Sequence, residues 1–157
     1  EMLDFMDNNP AMESYPVSYT NHPSVIAQND RMVSINAVLE VDLTGQCNAE
    51  FLYGRQYSGT GGQLDFVRGA FDAKEGKSIL AFYATADNGN ISRIVDRLPQ
   101  GATITTPRTD THYLVTEYGV ANLKGRSTRE RALAIIGLAH PKFREQLLRK
   151  AEDIYLL

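Results

Sequence analysis

Apolar positions along the chain come in short runs with changing period. Met2, Leu3, Phe5 and Met6 fall on one face of a short helix, which Asn8-Asn9-Pro10 stops. "MESYPVSY" is extended in character, with Pro16 pointing to an edge or irregular strand. Pro23 suits the first turn of a short helix, "PSVIAQN". "MVSINAVLEVDL" is β-branched and apolar over a length that predicts one buried strand. Thr44-Gly45 turns the chain, and "CNAEFLYG" returns as another strand.

"QLDFVRGAF" then has the period of a short helix, and "KSILAFYAT" that of a buried strand. Asp87-Asn88-Gly89-Asn90 is a hairpin turn, with "ISRIVDRL" as the returning strand. "ATITTP" and "HYLVTEY" predict two more strands. Ser127-Thr128-Arg129-Glu130 is a capping box that opens the helix "ALAIIGLA", and His140-Pro141 ends it. Phe143, Leu147, Leu148, Ala151, Ile154 and Tyr155 form one stripe of a last helix. Strands interrupted by short helices, with helices at the end, predict an α/β layered domain, a central sheet with flanking helices. No repeat, low-complexity segment or linker divides residues 1–157, so one domain is expected.

Composition narrows the partners. The 157 residues are 43% hydrophobic and 22% charged, with net charge −3, an ordinary globular balance. That balance predicts neither nucleic acid nor an anionic membrane as partner. No apolar run reaches the length of a membrane span. The acidic start "EMLDFMDNN" is not a signal peptide, and lone Cys47 forbids an intrachain disulfide. Together these lead us to expect a cytoplasmic protein. A chain that begins at Glu1, in mid-pattern, reads as a piece of something longer.

One stretch stands out chemically: "SGTGGQLDF", residues 58–66, with three glycines in four positions before a helix. It is not a P-loop, because no Gly-Lys-Ser/Thr follows. It is not a dinucleotide fingerprint, because Leu64 stands where the third glycine belongs. His22, His112 and His140 are far apart and there is a single Cys, so no metal site is expected. Two readings remain from these residues: a tight strand-to-helix connection, or a place where a ligand reaches the backbone.

The company of this turn favours the second. "NHPSVIAQNDRMVSINAVLEVDLTGQCNAE", "SGTGGQLDFVRGA", "ISRIV", "THYLVTEYGVANLKGR" and "RALAIIGLAHPKFREQL" occur in this order. Together they resemble the C-terminal domain of the acetyl-CoA hydrolase/transferase family, above all its 4-hydroxybutyrate and butyryl-CoA:acetate CoA-transferases. The resemblance runs almost from end to end. It implies a CoA-transferase α/β fold, of the type shared with sugar-phosphate isomerases and deaminases, within two-domain enzymes that form dimers or tetramers. It implies acyl-CoA and small carboxylic acids as substrates, with coenzyme A passing through and no permanently bound cofactor. A glutamate attacks the thioester, a glutamyl-CoA thioester forms, and CoA passes to a second acid.

The resemblance also implies roles for residues. Gly62 matches the glycine whose backbone N–H stabilises the oxyanion of acyl transfer. Asn21, in the "N-H/D-P" element, matches the asparagine that faces the catalytic carboxylate. Ser58, Gly59, Gly61 and Gln63 match the border of the CoA arm. Asn88 stands where the family commonly has the first Lys of Lys-Gly-Lys, so the charged grip on CoA is missing from Asn88-Gly89-Asn90. Plainer readings stand beside these: Asn21 as a helix-entry residue, and Asp65 as a partner of a helix dipole. Glu117-Tyr118-Gly119 reads as a structural turn, and Arg126, Arg129, Arg131, Arg144, Arg149 and Lys150 as solvated helix faces.

The family's catalytic glutamate lies N-terminal to every motif seen here, so residues 1–157 alone are expected to be inactive. Glu40, Glu50 and Glu117 match no nucleophile motif and read as strand-end or hydrogen-bonded residues. An acyl-CoA hydrolase of the same family and a non-catalytic CoA-binding module are the competing readings.

Overall fold

The computed structural model describes residues 1–157. Three short helices come first: α1 (Met2–Met6), α2 (Val17–Thr20) and α3 (Pro23–Ile26). Five strands follow: β1 (Val33–Ala37), β2 (Glu40–Asp42), β3 (Cys47–Asn48), β4 (Phe51–Leu52) and β5 (Arg55–Gln56). Helix α4 (Gln63–Asp72) leads into β6 (Lys77–Ala81), β7 (Thr85–Ala86), β8 (Ile91–Ser92), β9 (Ile94–Val95), β10 (Tyr113–Thr116) and β11 (Gly119–Asn122). Helices α5 (Thr128–Gly137) and α6 (Pro141–Asp153) close the chain.

The main sheet has the order β1-β6-β10-β11, its first three strands parallel and β11 returning as a hairpin. Its register sets Leu80, Leu114 and Ala121 side by side on one face, which is buried. Val41, Ile94, Val67 and Ile135 complete that core from the second sheet and the helices, with Leu43 and Leu123 just beyond the ends of β2 and β11. The second sheet, β3-β2-β9, is small and mixed. Helix α4 is the crossover between parallel strands β1 and β6 and runs back against them. Its N-terminus therefore lies at the carboxyl edge of the main sheet, where open α/β sheets bind ligands.

The layered α/β architecture is the one the sequence predicts; several strands differ. "MVSINAVLEVDL" is two strands in two sheets, because Val38 and Val41 both enter the core and the chain must turn between them. "ISRIVDRL" breaks at Arg93: its N–H donates to Ala84 and its carbonyl accepts from Val41, which hands the chain from the β7–β8 hairpin to the second sheet. "ATITTP" contributes only one bridge, Thr106 to Cys47. "MESYPVSY" is no strand at its end, since the Pro16 carbonyl accepts from Tyr19 and Thr20 and starts α2. On α6 the buried stripe is Leu147 and Ala151, whereas Tyr155 is exposed in the left-handed region beyond the helix. The capping box of α5 is complete: Ser127 Oγ accepts from the Glu130 N–H, and the Glu130 carboxylate accepts from the Ser127 N–H at 2.8 Å. No helix is long and apolar enough to cross a membrane.

Candidate active site

The two residues singled out as catalytic are 41 positions apart in sequence and touch in space. The Asn21 side chain lies over the α-carbon of Gly62. A Cβ added there would collide with Asn21 Nδ2 and stand 3.5 Å from Asn21 Cγ and Phe66 Cδ2. Local chemistry puts Asn21 in this place. It ends α2, and the next helix is capped by His22, whose Nδ1 accepts from Ser24 N–H at 3.3 Å and lies 2.8 Å from Ser24 Oγ. Pro23 occupies the first helical position, where a missing N–H costs nothing. Asn21 is thus not the helix-entry residue, and its side chain is free for other work. Thr20 Oγ1 donates to Asn21 Oδ1 at 3.1 Å, which leaves Nδ2 turned toward Gly62.

Close packing of α3 on α4 sets the approach. A Cβ on Gly69 would stand 2.5 Å from Ile26 Cβ and 3.0 Å from the Pro23 carbonyl oxygen, so only glycine lets these helices meet. At the N-terminus of α4, the amides of Gly62, Gln63, Leu64 and Asp65 find no acceptor within the chain. They are the orphan donors of a helix start, and Gly62 caps the helix without a side chain. The three glycines of the turn differ. Gly61 has φ +55° with open space around it, so its demand is conformational. Gly62 has φ −94°, which any residue adopts, so its demand is steric. Gly59 meets nothing within 4 Å.

The other marked residues distribute themselves around this centre. The Ser58 N–H donates to the Glu50 carbonyl, and its hydroxyl lies exposed beside Gly59. Gln63 turns inward: its Nε2 donates to Thr106 Oγ1 at 3.0 Å, so only its backbone faces the turn. Asn88, at φ +51°, sits with Asp87 at the tip of the β7–β8 hairpin, in the hairpin turn that its sequence predicts. At the carboxyl edge of the main sheet a mostly apolar cavity of about 440 Å³ is lined by Ala37, Val38, Ala81, Phe82, Val115 and Glu117, among others. Glu117 accepts from the Ala84 N–H at 2.8 Å, and Glu40 from Asn48 Nδ2 at 3.3 Å. Glu50 is 5% exposed, with one carboxylate oxygen lacking a partner. Burial pushes the Cys47 thiol up to about 12, which removes it as a nucleophile.

The model of the acetyl-CoA hydrolase/transferase C-terminal domain matches residues 1–151. The chain belongs to this family. Within it, a 4-hydroxybutyrate coenzyme A transferase of Clostridium kluyveri is 53% identical over 94% of this chain and 34% of its own length. Among solved structures, RipA of Yersinia pestis superposes with a TM-score of 0.92 at 54% identity, over 99% of this chain and 35% of that one. A 4-hydroxybutyrate CoA-transferase of Porphyromonas gingivalis gives 0.77 at 47% identity, over 96% and 34%. The chain therefore spans about a third of the length of these family members.

Two features of this family member were hidden in its sequence. Thr20, which orients Asn21, precedes the "NHP" element and looks like an ordinary helix residue. The sequence places Arg131 on a solvated helix face, yet it turns inward and donates to the carbonyls of Thr44, Leu123 and Arg108. Arg144 and Lys150 are likewise engaged, with the Ala139 carbonyl and with Asp96. Arg149 pairs only with Glu145 on the exposed surface, as a solvated face should.

Proposed function

We propose that this chain is the C-terminal part of a CoA-transferase, which moves CoA between an acyl-CoA and a small carboxylic acid. Acetyl-, butyryl- and 4-hydroxybutyryl-CoA are the donors that fit best, with acetate or 4-hydroxybutyrate as acceptor. One observation carries the reading: a free side-chain amide, Asn21 Nδ2, lies against Gly62, whose N–H opens a helix start with four unsatisfied donors. Donors so arranged suit the oxyanions of acyl transfer.

In this reading a glutamate from a segment outside residues 1–157 attacks the thioester carbonyl. The C–S bond breaks, leaving a mixed anhydride and CoA thiolate. The thiolate attacks the glutamyl carbonyl, so glutamyl-CoA forms and the first acid departs. The acceptor acid then runs the same two steps in reverse. Gly62 N–H stabilises the oxyanion on the acyl side and Asn21 Nδ2 that on the glutamyl side. Both are neutral donors, so they hold developing negative charge without adding a counterion. Gly59 and Gly61 leave the backbone bare where the CoA arm enters, the Ser58 hydroxyl borders it, and the Asn88 hairpin lies along it without a lysine.

The test is to give the full-length protein butyryl-CoA and isotopically labelled acetate. Label in acetyl-CoA supports transfer. Free CoA released without labelled acetyl-CoA makes it a hydrolase, and CoA binding without either product makes it a binding module.

A further inference from the structure

A second cavity, of about 460 Å³, lies apart from the glycine turn. It is lined by Thr44, Arg108, Thr109, Arg126, Thr128 and Arg131, with Leu156 as its one apolar wall. Three arginines thus share one opening in a chain whose net charge is −3, so overall composition does not account for them. No carboxylate lines it. The nearby Asp42 is turned away, with one oxygen accepting from Thr44 and the other from Gln46.

The arginines are held differently. Arg131 spends three N–H groups on the carbonyls of Thr44, Leu123 and Arg108, at 2.8, 2.8 and 2.6 Å, and keeps two. That fixes one guanidinium as the floor. Arg108 and Arg126 are exposed and take part in no ion pair. Lys124 adds a further positive charge behind Thr109, whose carbonyl it grips at 2.6 Å. Burial is the main cause that lowers the pKa of Arg131, and the charge of Arg108 adds to it, against the opposing pull of Cys47 and Asp42. Helix α5 starts at the rim with Thr128, its first turn closed by the Ser127–Glu130 capping box.

The geometry points to a binding site for a phosphate-type oxyanion, a phosphate monoester or diphosphate, in this cavity. Guanidinium forks match pairs of phosphate oxygens, and the Thr109 and Thr128 hydroxyls supply further donors. The phosphate could be the nucleotide end of CoA or a separate phosphorylated metabolite. The site itself does not depend on the transferase reading.

Inorganic pyrophosphate titrated calorimetrically into the full-length protein tests it. Saturable binding is expected, weakening as salt rises, and at least about tenfold weaker in the Arg108→Ala/Arg126→Ala double variant. Arg126→Lys, which keeps the charge and loses the fork, should fall between the two and guards against a folding defect. Competition then separates the sources. Displacement of pyrophosphate by CoA but not by pantetheine assigns the site to CoA, and CoA binding alongside pyrophosphate assigns it to a separate metabolite. No saturable binding, or binding equally tight in the double variant, overturns the site.

Discussion

The side-chain amide of Asn21 occupies the space that a Cβ on Gly62 would need, although the Gly62 backbone, at φ −94°, would accept any residue. Gly61 next to it is the reverse case, with φ +55° and empty surroundings. The two glycines therefore predict opposite phenotypes. Gly62→Ala should keep the fold, push Asn21 away and disturb the amide, lowering transfer about 10²–10³-fold. Gly61→Ala should cost about 1 kcal/mol of stability with a smaller effect on rate. Melting curves and transfer rates of both full-length variants decide. Equal loss of rate in the two, tracking unfolding, would return the stretch to a structural turn.

Asn21 and Thr20 form a dependent pair, since the Thr20 hydroxyl holds Asn21 Oδ1. Asn21→Ala should lower kcat more than it raises KM for acyl-CoA, because the proposed mechanism sets the amide at the reacting carboxylate and not on the CoA tail. Thr20→Val should give a weaker loss of the same kind, with KM nearly unchanged. Adding Thr20→Val to Asn21→Ala should then have no further effect on kcat. A pure KM effect in Asn21→Ala moves this residue out of the catalytic centre.

Arg131 ties three separate segments through their carbonyls, and Gly45 makes room for it, because a Cβ there would stand 2.5 Å from the guanidinium. Arg131→Met keeps the aliphatic stem and orphans all three carbonyls. It should cost about 2–4 kcal/mol of unfolding free energy. Arg129→Met, on the exposed face of the same helix, should change stability by less than about 0.5 kcal/mol. Denaturant titration of the two variants compares them, and equal midpoints would mean that Arg131 is dispensable to the fold.

These residues mark how far the sequence could be read. Periodicity located α4, α5, α6 and the strands β6 and β10, because each buries one face of a regular element. The capping box and the Asp87-Asn88 turn were legible because their chemistry is local. The break of "MVSINAVLEVDL" into two sheets was not, since both halves are apolar for different partners. Asn21 and Gly62 were found through the order of motifs, and nothing in their spacing told that they touch. Thr20 and Arg131 escaped because their partners are a neighbouring amide and distant carbonyls, which no side-chain pattern encodes.

His112 gives the fold a dependence on acid. It is 8% exposed, packed edge-on to Phe71 at 5.0 Å and beside Tyr113, and its Nδ1 faces the Ser78 N–H at 3.5 Å. Burial, with Lys124 and Lys77 adding to it, holds its pKa below the ordinary 6.5. As pH falls, the unfolded chain therefore takes up the proton first. Between the ordinary value and the folded one the unfolded state binds more protons, so stability declines with falling pH through that window. Below the folded value both states carry the proton and this contribution to the slope ends. His112→Gln keeps a polar acceptor but cannot charge. Its denaturation midpoint should fall less steeply than that of the wild type from roughly pH 7 to pH 5. Identical slopes in the two proteins would mean that His112 ionises as freely in the folded state as in the unfolded chain.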